Sequence, residues 1–227
     1  MIPPCIPTQL TYTPNFCEEN VYCLARYFTR PGLERLQNTW SIYVVFISNE
    51  DLCITLLQQK GSKPQEGGLI VWDYHCILVL VAKPSESSEN QAGSWVYDVN
   101  SLLDIPVQWY TYVTETFPFR ETVPSRYRCK FRVVDAQDFL AWFASDRSHM
   151  LIWDDKLHAN RYVSKPPEHL PIIGSAARVA GITNNLMDRF VLMQPVEVQE
   201  EQYGRVMDQD TFCSLRCISP IFFINQR

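Results

Sequence analysis

The first regular pattern of apolar residues in the chain has the spacing of a helix. Its four apolar positions, at i, i+3, i+4 and i+7, are Val21, Leu24, Ala25 and Phe28. This spacing predicts an amphipathic helix with one buried face. Asn15, followed three residues later by Glu18, has the form of a capping box and predicts that Asn15 is the N-cap and that Glu18 has a capping role. The pair Pro31-Gly32 is expected to end the helix.

Four later segments are rich in apolar, mostly β-branched and aromatic residues, which predicts strands. They are residues 42–47, 52–57, 69–82 and 95–99. A polar turn region is expected at residues 61–68, and residues 83–94, which are rich in Ser, Glu, Asn and Gly, predict a surface loop. The segments on either side of that loop are therefore expected to form the two arms of an antiparallel hairpin.

A further strand is predicted near residue 130, where apolar and basic residues alternate. The basic positions are Arg126, Arg128, Lys130 and Arg132. The period of two predicts a half-buried strand, and we interpret its basic face as solvated surface. Asp135 is expected to cap a following helix whose core face contains Phe139, Leu140 and Phe143.

The remaining segments complete the prediction of an α+β fold. Residues 164–175 are rich in proline and are expected to wrap the surface, and residues 204–207 predict a last short strand. A chain with one early helix followed by many strands is typical of a mainly antiparallel sheet with helices packed on it. With 227 residues, 46% of them hydrophobic, the chain is predicted to form a single domain. Its core is expected to span about residues 10–195, with residues 196–227 as a C-terminal segment.

Charge and cysteine content exclude several classes of protein. The formal net charge of −5 argues against a broad nucleic-acid surface. No apolar run is long enough to span a bilayer, and the first seven residues lack the features of a signal peptide. The eight cysteines include no CxxC pair and no zinc-finger spacing. They predict free thiols in a reducing compartment, the cytoplasm, rather than disulfides or a metal site.

Cys17 is the cysteine best placed to act as a nucleophile. It falls in the first turn of the predicted helix, where the helix dipole and unpaired N–H groups favour a thiolate. The same N–H groups are suited to hold an oxyanion. Position alone leaves a second interpretation equally open, because a free cysteine is most often a small buried residue.

A nucleophilic thiol needs a base and a group that orients the base. His75 lies in the strand predicted at residues 69–82, and a strand holds a general base rigidly in place. His158 and His169 fall in sequence typical of the surface. His149 stays open as an alternative base. Asp98 lies in the other arm of the hairpin, where a buried carboxylate needs a partner. If the hairpin turns near residue 86, positions 75 and 98 are opposite each other. Asp73, two residues from His75, is the rival orienting group.

Several strings in the chain resemble the protein N-terminal glutamine amidohydrolases. They occur in the family order and span about residues 11 to 150, with a weaker match beyond. They are Tyr12-Thr13-Pro14, Cys17-Glu18-Glu19-Asn20-Val21, Val45-Phe46-Ile47-Ser48-Asn49-Glu50, Val71-Trp72-Asp73-Tyr74-His75, Tyr97-Asp98, Lys130-Phe131-Arg132-Val133 and Phe143-Ala144-Ser145-Asp146-Arg147-Ser148-His149-Met150. The Cys-Glu-Glu-Asn and Trp-Asp-Tyr-His strings together are highly specific, because no general rule of folding produces both.

The resemblance implies a fold and an activity. It implies a papain- or transglutaminase-like core, a catalytic triad of Cys17, His75 and Asp98, no metal and no organic cofactor. The implied reaction converts an N-terminal glutamine of a protein or peptide to glutamate, with release of ammonia, through a thioester on the cysteine. It also implies a place in the N-degron pathway, and we expect a monomer in the cytoplasm, with the nucleus as a second compartment.

Recognition of a free N-terminus requires a group that binds the α-ammonium, and a carboxylate facing the cleft is suited to this. Asp73 and Glu19 are the candidates. Tyr74, Trp72 and Phe16 are candidates for the walls of the glutamine pocket, with core packing as the alternative for each.

Three other functions compete with this hypothesis. A cysteine protease or a transglutaminase-type acyl transferase would use the same core. A non-catalytic protein would only capture an N-terminal glutamine. A phosphate or nucleic-acid binder would use the basic residues 126–132, an interpretation that the net charge disfavours.

Overall fold

A computed structural model describes residues 1–63, 68–83, 93–118, 122–194 and 198–215. Its centre is a six-stranded sheet in which every neighbouring pair is antiparallel. Numbered in chain order, the strands lie side by side as β10 (Arg205–Asp208), β7 (Lys130–Asp135), β1 (Trp40–Ser48), β4 (His75–Ala82), β5 (Ser94–Tyr97) and β6 (Val107–Gln108). Two further pairs are β2 (Ile54–Leu56) with β3 (Ile70–Trp72) and β8 (Leu151–Asp154) with β9 (Ala159–Tyr162).

Helices cover both faces of the sheet. They are α1 (Cys17–Thr29), α2 (Glu34–Thr39), α3 (Trp109–Thr116), α4 (Ala136–Trp142), α5 (Ser175–Val179) and α6 (Gln209–Ser214). Shorter turns of other helix types occupy Ser125–Tyr127, Ser148–Met150, Leu186–Val191 and Val198–Tyr203. The α+β class and the mainly antiparallel sheet are confirmed. Within the described ranges, none of the helices combines the length and apolar character that a bilayer span needs.

The core consists of two apolar layers, one on each side of the sheet. On β1, Ile42, Val44 and Phe46 face α1 and α4. The alternate residues Tyr43, Val45 and Ile47 face α3 and α6. Because both faces are covered, the segment predicted as a strand at residues 42–47 is a continuous apolar run rather than an alternating one.

The first helix has the predicted buried face but a different start. Its four apolar positions are buried, and the helix ends just before Pro31-Gly32, as predicted. The predicted N-cap is wrong: the N-cap is Phe16, and no side chain caps the helix. Asn15 instead has a left-handed backbone, with φ of 66°, a conformation that asparagine tolerates better than most residues.

The single strand predicted at residues 69–82 is wrong in one respect, because it is broken in two. Its first part, β3, pairs with β2, and only the second part, β4, joins the central sheet. At the break the Asp73 carboxylate accepts a hydrogen bond from the Tyr74 N–H at 2.8 Å. Ser48, at the end of β1, donates its hydroxyl to the Asp73 carbonyl at 2.7 Å. The backbone groups at the break, the Tyr74 N–H and the Asp73 carbonyl, are therefore hydrogen-bonded by side chains.

The predicted hairpin is confirmed as the antiparallel pair β4–β5, with Leu78 opposite Tyr97. The strand predicted at residues 42–47 is present and longer, as β1, whereas the one predicted at residues 52–57 is shortened to β2; the last one, at residues 204–207, corresponds to β10. Residues 84–92 of the predicted loop and residues 64–67 of the predicted turn lie outside the described residues.

The basic face predicted for β7 is solvated only in part. Arg132 is 2% exposed, and its guanidinium donates to four backbone carbonyls. These belong to Phe190, Leu192, Gln194 and Tyr203. The prediction of a solvated Arg132 is therefore wrong, because the side chain satisfies carbonyls of the C-terminal segments that cross this face. The predicted cap by Asp135 is confirmed, since its side chain accepts from the Gln137 N–H.

Replacing Arg132 with methionine is expected to lower the free energy of unfolding by about 3 kcal/mol or more, since buried carbonyls are left without donors. Urea denaturation followed by circular dichroism measures this change. Arg126→Met removes an exposed arginine and is expected to change the free energy by less than about 0.5 kcal/mol. Equal effects of the two substitutions would contradict the role given to Arg132.

Candidate active site

A cleft with a volume of about 110 Å³ opens at the start of α1. Its lining comes from the first residues of the helix, from the break between β3 and β4, and from two other segments. The lining residues are Asn15, Cys17, Trp72, Asp73, Tyr74, His75, Asn100 and Met150. The structure thus places Cys17, the first residue of α1, and His75, the first residue of β4, in the walls of one cleft.

His75 is held by Asp98. The His75 Nε2 and Asp98 Oδ1 atoms are 2.9 Å apart, and both side chains are almost fully buried. The β4–β5 register pairs Leu78 with Tyr97, so His75 is displaced by two residues from the position directly opposite Asp98. A shift of two residues keeps both side chains on the same face of the sheet. The predicted contact is therefore present, although the predicted register is two residues off.

Asp98 has three other hydrogen-bond donors. Its Oδ1 accepts from the Asn100 N–H at 3.0 Å, and its Oδ2 accepts from Gln59 Nε2 and the Tyr112 hydroxyl, each at 2.9 Å. Burial by itself raises the pKa of Asp98. The His75 charge and the hydrogen bonds from His75, Gln59 and Tyr112 outweigh burial and hold the pKa below its ordinary value.

These contacts define the state of the imidazole. An ionised Asp98 can only accept, so the proton of a neutral His75 lies on Nε2 and the lone pair lies on Nδ1. Nδ1 is buried and has no hydrogen-bond partner among the described residues. Asp73, the rival orienting group, binds the Tyr74 N–H, and the carboxylate that His75 contacts is Asp98. His75 is therefore arranged to receive a proton at Nδ1.

Cys17 is buried, with 7% of its surface exposed, and its thiol donates to Glu18 Oε2 at 3.6 Å. Burial raises the pKa of the Cys17 thiol well above its ordinary value, and the charges of Glu18, Cys76 and Asp73 raise it further. A hydrogen bond with the Cys76 backbone acts in the opposite direction. In the free protein, burial and neighbouring negative charge therefore oppose the thiolate that the helix start was expected to favour.

Glu18 belongs to a buried polar network rather than to a helix cap. Its Oε2 accepts from the Tyr74 hydroxyl at 3.0 Å, and that hydroxyl lies 3.2 Å from His149 Nε2. Its Oε1 is buried without a hydrogen-bond partner, and the distance from Oε1 to His149 Nε2 is 3.7 Å. Burial raises the pKa of Glu18 to about 7, with a further contribution from the charge of Glu19.

Glu19 is committed to a different partner. Its two carboxylate oxygens accept from Arg147 Nε and Nη2, both at 2.8 Å. Arg147 also donates to the carbonyls of Pro167 and His169. Glu19 borders a separate cavity of about 970 Å³ on another side of α1, and that cavity contains none of Cys17, His75 and Asp98.

The structure brings together some of the sequence-predicted residues and leaves others apart. Trp72, Asp73 and Tyr74 line the cleft with Cys17 and His75, and the Trp72 ring lies 4.8 Å from the His75 ring. Glu19 and the fully buried Phe16 do not line it. Within the described ranges, no group of three or more His, Cys, Asp or Glu side chains is placed to hold a metal ion.

Sequence reasoning missed several residues of the site. Gln59 and Tyr112 carry no local signal, since only the tertiary fold brings them to Asp98. Glu18 did carry one: it precedes Val21 by three residues and Ala25 by seven, so it lies on the buried stripe of the helix. A carboxylate on such a stripe is costly unless it has a special partner.

Comparison with known proteins identifies relatives along most of the chain. The model of a family described as N-terminal glutamine amidase matches residues 12–216. A protein N-terminal glutamine amidohydrolase of Oryza sativa subsp. indica is 35% identical over 190 residues, which cover 84% of this chain and 75% of the relative. The proteins of that name from Arabidopsis thaliana and Bos taurus are 35% and 33% identical, covering 80% and 69% of this chain and 75% and 78% of the relatives.

The raised pKa of Glu18 predicts a pH-dependent stability. The folded protein holds this proton more tightly than the unfolded chain, so the contribution is complete below pH 4.5 and is lost as the pH rises through about 7. The loss amounts to about 3 kcal/mol, since one pKa unit corresponds to about 1.4 kcal/mol. In urea denaturation, Glu18→Gln is therefore expected to gain stability relative to wild type between pH 4.5 and pH 8.

Glu168→Gln makes the same chemical change at an exposed carboxylate and serves as the control. Parallel stability curves for wild type and Glu18→Gln across this pH range would show that Glu18 does not titrate as proposed.

Proposed function

The chain belongs to the N-terminal glutamine amidase family, and on that premise we propose that it deamidates an N-terminal glutamine of a protein or peptide to glutamate and ammonia. One observation carries the proposal: Cys17 and His75 line the same cleft, and Asp98 binds His75 through Nε2 so that Nδ1 stays available. This is the arrangement that a thiol hydrolase needs, with a nucleophile, a base and a group that fixes the base.

In the first half of the proposed reaction, the Cys17 thiol transfers its proton to His75 Nδ1 and Sγ attacks the side-chain carbonyl carbon of the glutamine. The oxyanion is held by backbone N–H groups of the first turn of α1, which have no partners within the helix. The imidazolium then donates its proton to the amide nitrogen, the C–N bond breaks, and ammonia leaves. A thioester between Cys17 and the substrate remains.

In the second half, neutral His75 accepts a proton from a water molecule at Nδ1, and the resulting hydroxide attacks the thioester carbonyl. Collapse of this intermediate breaks the C–S bond, Sγ leaves and takes the proton back from His75 Nδ1, and the product is an N-terminal glutamate. Asp98 stabilises the imidazolium each time it forms, since it stays ionised and accepts from Nε2.

The same arrangement supports a papain- or transglutaminase-like core as part of the proposal. Cys17 begins a helix that packs on the central antiparallel sheet, and His75 begins a strand of that sheet. We further propose that the chain is a single catalytic domain, works as a monomer in the cytoplasm and nucleus, and supplies N-terminal glutamate to the N-degron pathway. It is proposed to need no metal and no cofactor.

Asp73 is the proposed ligand of the substrate's α-ammonium. Its carboxylate is exposed and lines the cleft beside Cys17 and His75. Of the two carboxylates considered for this role, Glu19 is already paired with Arg147. An ammonium near Asp73 gains charge attraction in a partly water-excluded cleft, and Trp72 and Tyr74 are placed to form the apolar walls around the glutamine side chain.

The nucleophile is tested with a glutamine-initiated peptide. Wild type is expected to release ammonia and to increase the peptide mass by about one dalton at its first residue, because an amide becomes an acid. Cys17→Ala is expected to abolish both signals. Cys23→Ala, a cysteine six residues along the same helix, is the matched control and should keep them. Cleaved or cross-linked peptide would instead support a protease or a transglutaminase, and ammonia release by Cys17→Ala at the wild-type rate would refute the mechanism.

The α-ammonium ligand is tested with Asp73→Asn. Loss of the charge is expected to raise KM for a glutamine-initiated peptide about tenfold or more with a smaller change in kcat, since the interaction exists before and during the reaction. Asp104→Asn makes the same change at an exposed aspartate outside the lining of the cleft. An unchanged KM for Asp73→Asn would exclude this role.

A further inference from the structure

Glu18 is the residue beside Cys17 for which the proposed reaction has no use. We propose that Glu18 suppresses the nucleophile in the free enzyme, and that the α-ammonium of the N-terminal glutamine relieves this suppression when it enters the cleft. The inference rests on the proposed function and adds to it a reason why the thiol would react only with substrates that carry a free amine.

The geometry shows a competition for one proton. The Cys17 thiol has a single hydrogen, and in the structure it is directed to Glu18 Oε2 at 3.6 Å. The atom that must receive it in the reaction, His75 Nδ1, has no hydrogen-bond partner. A thiol that donates to Glu18 therefore cannot donate to His75, and the contact with Glu18 holds the pair in an unproductive arrangement.

The charges around the sulfur act in the same direction. Glu18, Asp73 and Cys76 all disfavour a negative charge on Cys17, and burial weakens the solvent screening that would otherwise reduce their effect. The neighbouring groups Tyr74 and His149 are engaged with Glu18 rather than with the sulfur. Arg147 donates to both oxygens of Glu19. In the described structure, His75 is the one histidine among the residues that line the cleft with Cys17.

The Glu18 carboxylate is only partly compensated, because the donors from Tyr74 and Cys17 reach Oε2 alone. Glu18 is 0% exposed, and its Oε1 has no hydrogen-bond donor. Most buried carboxylate oxygens in proteins are paired, so the unpaired Oε1 beside the nucleophile is suited to interact with a positive charge that a substrate brings. The α-ammonium lies only four bonds from the carbonyl carbon that Cys17 attacks, so a bound substrate brings such a charge close to the sulfur.

The step is a proton transfer with no change of oxidation state. In the free enzyme the proton stays on Sγ, shared with Glu18. When the α-ammonium enters, its positive charge offsets Glu18 and Asp73, the thiol turns to His75, and the proton passes from Sγ to Nδ1. The thiolate and imidazolium that result begin the proposed reaction.

The first test uses wild-type protein without substrate. Alkylation of each cysteine by iodoacetamide is followed by mass spectrometry as a function of pH. The midpoint of the Cys17 profile is expected to lie at higher pH than that of the exposed Cys5 in the same sample. The midpoint does not depend on access to the thiol, which changes only the absolute rate. A Cys17 midpoint below that of Cys5 would indicate a preformed thiolate–imidazolium pair and overturn the proposal.

The second test uses Glu18→Gln, which keeps the shape of the side chain and removes its charge. Alkylation of Cys17 at pH 8, where Glu18 is mostly ionised, is expected to accelerate about tenfold, the effect of a pKa change of one unit. Cys5 and Cys23 are internal controls in the same protein and should keep their wild-type rates. An unchanged or slower Cys17 rate in a protein with wild-type circular dichroism would contradict the proposal. If the variant does not fold, the wild-type profile can still refute the proposal, since a Cys17 midpoint below that of Cys5 overturns it.

The third test separates suppression from a purely structural role of Glu18. Wild type and Glu18→Gln are compared on a glutamine-initiated peptide and on the same peptide with an acetylated amine. The ratio of the two kcat values is expected to fall about tenfold in Glu18→Gln, because the acetylated peptide no longer has to supply the relieving charge. A merely structural role would lower both kcat values together, and the absence of any gain with the acetylated peptide would count against relief by the α-ammonium.

Failure of this inference is distinguishable from failure of the proposed function. If wild type releases no ammonia from glutamine-initiated peptides, the proposed function fails, and the alkylation profiles still report whether Glu18 suppresses Cys17. If ammonia is released but the Cys17 profile matches a preformed thiolate, only the suppression by Glu18 is refuted.

Discussion

The buried Asp98 carboxylate is the charge on which the arrangement of the site depends. A carboxylate almost without solvent contact is stable only when donors surround it, and Asp98 has four, from His75, Asn100, Gln59 and Tyr112. These donors come from β4, from the loop after β5, from the segment after β2 and from α3. Satisfying one charge therefore ties together four parts of the chain and fixes the His75 ring with Nδ1 free.

The adjacent residues Glu18 and Glu19 show how neighbours in sequence acquire different properties in the fold. Glu19 has a bidentate partner in Arg147, so its charge is compensated in the free protein. Glu18 contacts a thiol and a phenol, and burial raises its pKa to about 7. Since a helix turns by about 100° per residue, the two side chains point to different surroundings. Glu19 is thus part of an ion pair, whereas the Glu18 carboxylate lies beside the Cys17 thiol, which we propose it suppresses.

The parts of the fold that sequence reasoning predicted are those with local causes. The apolar stripe of α1 follows from spacing within one helix, and the hairpin of β4 and β5 follows from two apolar runs on either side of a polar one. The break at Asp73 was not predicted, because residues 69–82 are apolar on both sides of Asp73 and His75 and the pairing of β3 with β2 lies outside the local pattern. The wrong solvated face at Arg132 has a similar origin, since distant segments supply the carbonyls that its guanidinium contacts.

By itself, the sequence determined which residue types are available, the class of the fold, the helix start at which Cys17 stands, and the strings that mark the family. It left open the register of β4 and β5, which decides that His75 and Asp98 share one face. Only the tertiary structure decided the surroundings of Cys17, the unpaired oxygen of Glu18, and the partners of Asp98 and Glu19. The physical reason is that burial and charge act between side chains far apart in sequence, so the chemistry of each group depends on contacts that local pattern does not contain.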